Sequence, residues 1–128
     1  MLKEKLKYLF ESAYLPETDV DKLIHDCVDK SYQQYVDGHT LNFAGFLEHV
    51  KKQRELVKSV RFEFKYLVEE GDMVASLHQV SALKNDGSEI LAEVHAFFSF
   101  KNGLLIGCDE RTRILQGEKT DEALAHIR

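Results

Sequence analysis

From Leu2 to Ala13 the apolar residues Leu2, Leu6, Leu9, Phe10 and Ala13 recur at helical spacing, with Lys3, Glu4, Lys5 and Lys7 on the other side. This pattern predicts a first amphipathic helix. Pro16, the only proline, separates it from a second helix, with Thr18 or Asp19 as N-cap and Val20, Leu23, Ile24 and Cys27 as its buried face. After Ser31 the periodicity weakens, and residues 32–39 read as an irregular or short extended link. A third helix begins at Asn42, whose side chain suits the free N–H groups of a first turn, with Leu41 and Phe46 at the positions of a hydrophobic staple. Phe43, Phe46, Leu47, Val50 and Val57 form its apolar stripe. From Val60 the period becomes two: Val60, Phe62, Phe64, Tyr66 and Val68 alternate with Arg61, Glu63, Lys65 and Leu67, as in a half-buried strand.

Glu70-Gly71-Asp72 then turns the chain into a three-stranded meander over residues 73–112. Its first strand runs from about Val74 to Leu83, and Asn85-Asp86-Gly87-Ser88 returns the chain into Glu89–Phe100. A two- or four-residue loop places His78 opposite His95, with Val80 and Glu93 facing each other on the same side; a three- or five-residue loop breaks that alignment. At the last turn, Asn102-Gly103 as a two-residue loop sets His95 against Glu110. Lys101-Asn102-Gly103 as a three-residue loop sets it against Asp109 instead. Either face of the sheet can claim the core: the one with His78, His95 and Glu93, or the more apolar one with Val94, Ala96 and Phe98. Beyond Arg113, a charged segment from about residue 117 reads as a mobile tail, with Leu124 and Ile127 as edge or dimer contacts.

The length of 128 residues fits one domain spanning 1–128, and the 44% apolar and 30% charged fractions are those of an ordinary globular chain. A net charge of -5 with interspersed basic residues argues against nucleic acid as a partner. No apolar run approaches the ~20 residues needed to cross a bilayer, so no membrane partner is expected. Cys27 and Cys108 form no CxxC pair and read as reduced thiols of a cytoplasmic protein.

Tyr32-Gln33-Gln34-Tyr35-Val36-Asp37-Gly38, Glu70-Gly71-Asp72-Met73-Val74-Ala75, Phe98-x-Phe100-x-x-Gly103-Leu104-Leu105 and Asp109-Glu110-Arg111-Thr112-Arg113 with Gly117 after it occur in an order and spacing that resembles the nuclear transport factor 2-like superfamily, in its SnoaL-like branch. The resemblance covers nearly the whole chain. It implies a cone-shaped α+β fold of the cystatin-like type, with three N-terminal helices packed on a strongly curved antiparallel sheet. It also implies a pocket between sheet and helices, and a homodimer. SnoaL-type polyketide cyclases use an acid on the last strand as base and a histidine on the strand before it; Asp109 and His95 match those places, which favours the three-residue turn. The aromatic residue common beside that acid is absent, where this chain carries Leu105-Ile106-Gly107-Cys108.

The chemistry this implies is proton transfer at carbon next to a carbonyl, in an isomerase or cyclase acting on a small hydrophobic molecule. A carboxylate in an apolar cleft becomes a competent base near neutral pH, and a histidine donates to the enolate oxygen. Asp109 and His95 are the catalytic candidates. His78, Glu93 and Arg111 are polar contacts, Tyr35 is a donor at the mouth, and Phe43, Phe62 and Phe97 are wall residues. No organic cofactor or metal is expected; His78, His95 and Asp109 or Glu93 form a ligand set suited to non-haem iron, but cross-strand proximity alone is a weak basis for one. The other class is a non-catalytic dimer that binds a small ligand.

Overall fold

The computed structural model describes residues 1–117. Leu124 and Ile127, expected as edge or dimer contacts, lie outside them. Two helices, α1 (Leu2–Ala13) and α2 (Val20–Cys27), precede the strands β1 (Val28–Val36) and β2 (His39–Asn42). The third helix, α3 (Phe43–Leu56), enters only then, followed by β3 (Val57–Glu70), β4 (Met73–Lys84), β5 (Glu89–Lys101) and β6 (Leu104–Gln116). The helix caps follow the sequence reading. Asp19 accepts a hydrogen bond from Lys22 N at 3.2 Å, and Asn42 accepts one from Gly45 N at 2.9 Å.

The six strands form one sheet in the order β2-β1-β6-β5-β4-β3. The fold is α+β, three helices on a six-stranded sheet. Of the irregular and the short extended link expected after Ser31, the extended one is found, as part of strand β1. One expectation is corrected here: the sheet is mixed rather than antiparallel, because β1 runs parallel to β6 with Val36 beside Glu110. The inward side chains of β1 are Val28, Tyr32, Gln34 and Val36, all buried. Gln34 at an inward position is what hides the alternation from a reading of hydrophobic periodicity.

The core lies between the helices and the sheet face carrying Val74, Val94, Ala96, Phe98, Phe100 and Leu105, against Leu6, Leu9 and Ile24 from the helices. Thus the more apolar of the two candidate faces is the buried one. Arg54 on α3 fixes the linker between α1 and α2: Nη1 donates to the carbonyls of Ala13 and, at 3.1 Å, Leu15, while Nη2 donates to Thr18 O at 3.1 Å. Removing the guanidinium takes a donor from all three carbonyls, of which Leu15 O keeps the Thr18 N–H at 3.1 Å. Arg54→Ala is therefore expected to lower the unfolding free energy in urea by roughly 1–3 kcal/mol, and an unchanged midpoint would show that water replaces it without cost.

Candidate functional site

A cavity of about 150 Å³ opens between α1, α3 and the inner sheet face. Its walls are apolar: Phe10 and Phe46 from the helices, Val60 and Phe62 from β3, Val80 and Ala82 from β4, and Ile90, Ala92 and Val94 from β5. Polar groups enter at a few points, namely Tyr14, Gln34, His49, Gln53, His78, Glu110 and Thr112. Among the described lining residues Glu110 is the sole carboxylate, and there is no Lys or Arg.

Two turns and one irregularity decide which side chains reach this space. Gly87, with φ of +91°, closes a three-residue loop in which Gly87 N donates to Lys84 O at 3.0 Å and Lys84 N to Ser88 O at 2.8 Å. The register that follows pairs His78 with Val94 and Leu77 with His95. At the other end, Asn102 and Gly103 have φ of +52° and +78° and form the two-residue turn, with Lys101 paired to Leu104. One extra residue in β6, Ile106, then shifts the pairing, because Phe100 meets Leu105 but Ser99 meets Gly107. Beyond that bulge Ala96 faces Glu110 and Phe97 faces Asp109. Since Ala96 is buried on the inner side, Glu110 turns inward and Asp109 outward.

The polar groups of the cavity are held by one another. Tyr14 Oη donates to Gln53 Oε1, and burial, followed by the nearby Glu110 charge, pushes the Tyr14 phenol above its usual range. Tyr32 Oη donates to Gln34 Oε1 at 2.8 Å, and its pKa too is raised by burial. The Cys108 thiol donates to Glu110 Oε1 at 3.6 Å and is held protonated by burial and by that carboxylate. His78 Nδ1 lies 2.8 Å from Ser76 Oγ, and burial lowers the imidazole pKa from 6.5 to about 4, with the His95 ring across the sheet adding to the effect. At neutral pH these are neutral hydrogen-bonding groups around one acid.

No protein-family model matches the chain. An uncharacterised protein of Schizosaccharomyces pombe is 30% identical over 122 residues, which cover 95% of this chain and 93% of that protein. The chain belongs to that protein's family. Among solved structures, a candidate SnoaL-like polyketide cyclase from Jannaschia sp. CCS1 superimposes with a TM-score of 0.74 at 10% identity, over 97% of this chain and 90% of the other. A candidate isomerase from Rhodopseudomonas palustris gives 0.73 at 17% identity, over 84% and 88%. At these identities the likeness speaks for the fold, which is that of the SnoaL-like, nuclear transport factor 2-like proteins.

In this SnoaL-like fold the residues expected at the site are divided between two faces. His78 and Phe62 line the cavity. His95 and Asp109, the expected catalytic pair, stand on the outer face with side chains 62% and 56% exposed. His95 lies 3.5 Å from Glu93, and Arg111 binds Asp109 at 2.6 Å, so these four satisfy one another outside. The three-residue loop before β5 puts His78 and His95 on opposite faces, whereas the two-residue turn and the extra residue in β6 together keep His95 and Asp109 on one face, as the three-residue turn would; that face is the outer one because Val94, Ala96 and Phe98 take the core. Tyr35 and Phe97 are exposed, and Phe43 packs edge-on against His25 at 5.1 Å rather than on the cavity. Among the described residues no cluster of His, Cys, Asp and Glu could hold a metal ion. His49, which was not among the candidates, is buried and lines the cavity; its spacing from Phe46 and Gln53 on α3 carries the signal, since all three fall on one helical stripe.

Proposed function

We propose that this protein binds a small uncharged carbonyl compound in the cavity and transfers a proton at the carbon next to the carbonyl, as an isomerase or cyclase. The observation that carries the proposal is Glu110, a carboxylate on the wall of an otherwise apolar cavity ringed by neutral donors. Glu110 takes the role of base that the resemblance assigns to Asp109. The names of two fold neighbours, a polyketide cyclase and an isomerase, belong to the same reaction class. Cyclohex-3-enone is a suitable probe, because an apolar cavity of about 150 Å³ accommodates a single six-membered ring. Glu110 would remove a proton from C2, between the carbonyl and the double bond, and return it at C4, giving the conjugated enone, whose ultraviolet absorbance reports the rate. A rate no faster than buffer with this probe and with larger β,γ-unsaturated cyclic ketones would leave ligand binding as the function.

The outer sheet face favours a homodimer. Cross-strand rows there join Tyr66, Leu77 and His95, and Val68, Ala75 and Phe97, with Tyr66, Val68 and Phe97 60% or more exposed. Exposed aromatic and branched side chains in register form an apolar patch that a second copy would cover. Phe97→Glu is expected to turn a dimer into a monomer by light scattering at micromolar concentration. A wild-type protein that elutes as a monomer at ten times that concentration would remove this expectation. We place the protein in the cytoplasm, where Cys27 and Cys108, both free thiols, stay reduced.

A further inference from the structure

His78 carries a group that the proton-transfer step leaves unused. The residue is 3% exposed, and its ring lies among three phenylalanines, 5.1 Å from Phe64, 5.8 Å from Phe10 and 6.3 Å from Phe62 between centroids. Nδ1 is engaged by Ser76. Nε2 has no hydrogen-bond partner among the described residues, yet no side-chain nitrogen or oxygen among them is both sealed from solvent and without a partner. Nε2 is therefore the atom through which His78 opens on the cavity that it lines.

The Ser76 contact also assigns the ring proton. Ser76 is buried, and its hydroxyl makes no other hydrogen bond among the described residues. If Nδ1 were the donor, the hydroxyl proton would be left buried without an acceptor. If the hydroxyl donates to Nδ1, nothing is left over and the ring proton sits on Nε2.

We propose that His78 Nε2–H orients the ligand by donating to an acceptor oxygen on a flat, uncharged ring compound. The ring requirement comes from Phe10 and Phe62 beside the imidazole, and the charge requirement from Glu110 on a wall whose described residues include no Lys or Arg. This reading rests on the proposed function only for the choice of a carbonyl as the acceptor.

The experiment compares acetophenone, ethylbenzene and benzoate, which share a ring but differ in acceptor and charge, by ligand-observed NMR titration of the whole protein. Acetophenone is expected to bind roughly 5- to 10-fold more tightly than ethylbenzene, the worth of one neutral hydrogen bond, and benzoate more weakly than either. The preference for acetophenone should vanish in His78→Phe and shrink in Ser76→Ala. Imidazole nitrogen shifts of the unliganded wild type should show the Nε2–H form. Equal binding of acetophenone and ethylbenzene to the wild type, a preference kept in His78→Phe, or an Nδ1–H ring would each overturn the proposal. Should His78→Phe fail to fold, Ser76→Ala and the wild-type ring shifts decide. An enone assay without turnover alongside an intact acetophenone preference would remove the proton-transfer reading and support this one.

Discussion

Glu110→Gln is expected to slow the isomerisation of cyclohex-3-enone by roughly 10²- to 10⁴-fold, the usual contribution of a positioned general base. Glutamine keeps the shape of glutamate and an oxygen that accepts from the Cys108 thiol, so the wall and the strand pairing of Glu110 with Ala96 persist. What is lost is the ability to take a proton. Tyr14 and Gln53 cannot replace it, because the Tyr14 phenol is pushed up by burial and donates to Gln53. Asp109→Asn is the matched control. Asp109 is on the outer face and pairs with Arg111, so its replacement should change the rate by no more than about twofold. Equal losses in the two variants, or a loss confined to Asp109→Asn, would return the base to the outer acid and contradict the inward one.

Acidification from pH 6.5 to pH 4 is expected to destabilise the protein through His78 by roughly 3 kcal/mol, since each unit of pKa displacement corresponds to about 1.4 kcal/mol. The folded imidazole titrates at about 4, against an ordinary 6.5 in the unfolded chain. Between those values the unfolded state binds the proton and the folded state does not, so stability falls as pH falls and is flat in this respect above 6.5. Such a loss is a large part of the 5–15 kcal/mol that typically holds a domain together. Asp29 and Asp86, whose pKa values are lowered by their hydrogen bonds to Ser31 and Ser88, also respond to acid, but equally in a His78 variant. The informative quantity is the difference in unfolding free energy between wild type and His78→Phe, followed by denaturant titration at several pH values. That difference should narrow or reverse in the wild type's disfavour as pH drops toward 4; a constant difference would mean that His78 is protonated in the fold.

The helices and the four long strands were legible because each buries one stripe against the other layer. Leu6, Leu9 and Ala13 repeat at helical spacing, and Val94, Ala96 and Phe98 alternate, because both patterns follow from where the core lies. The two helix caps were legible for a local reason: Asp19 and Asn42 act on N–H groups three residues away. The site was only half legible. His78 and Phe62, both named as candidates, line the cavity, but other lining residues come from α3 and from β1 and β6, which are joined by parallel pairing. No local pattern encodes that contact. Register was the other obstacle. Asn85-Asp86-Gly87 allows loops of either parity, and the choice between them rests on the apolar content of entire faces, where Ala92, Val94 and Ala96 outweigh His95 and Glu93.

The extra residue at Ile106 sets the inner acid by counting. Any substitution at Asp109 or Glu110 changes a side chain but leaves the direction of both fixed by the pairing of β6 with β5. Loss of one residue between Leu105 and Cys108 would instead turn the following strand over, sending Glu110 to the surface and its neighbours Asp109 and Arg111 toward the helices. A one-residue insertion or deletion there thus exchanges which of two neighbouring positions points inward, which a point mutation at either position does not. Strand length, rather than residue identity at a fixed column, is then the character to compare when asking which relatives share the same chemistry.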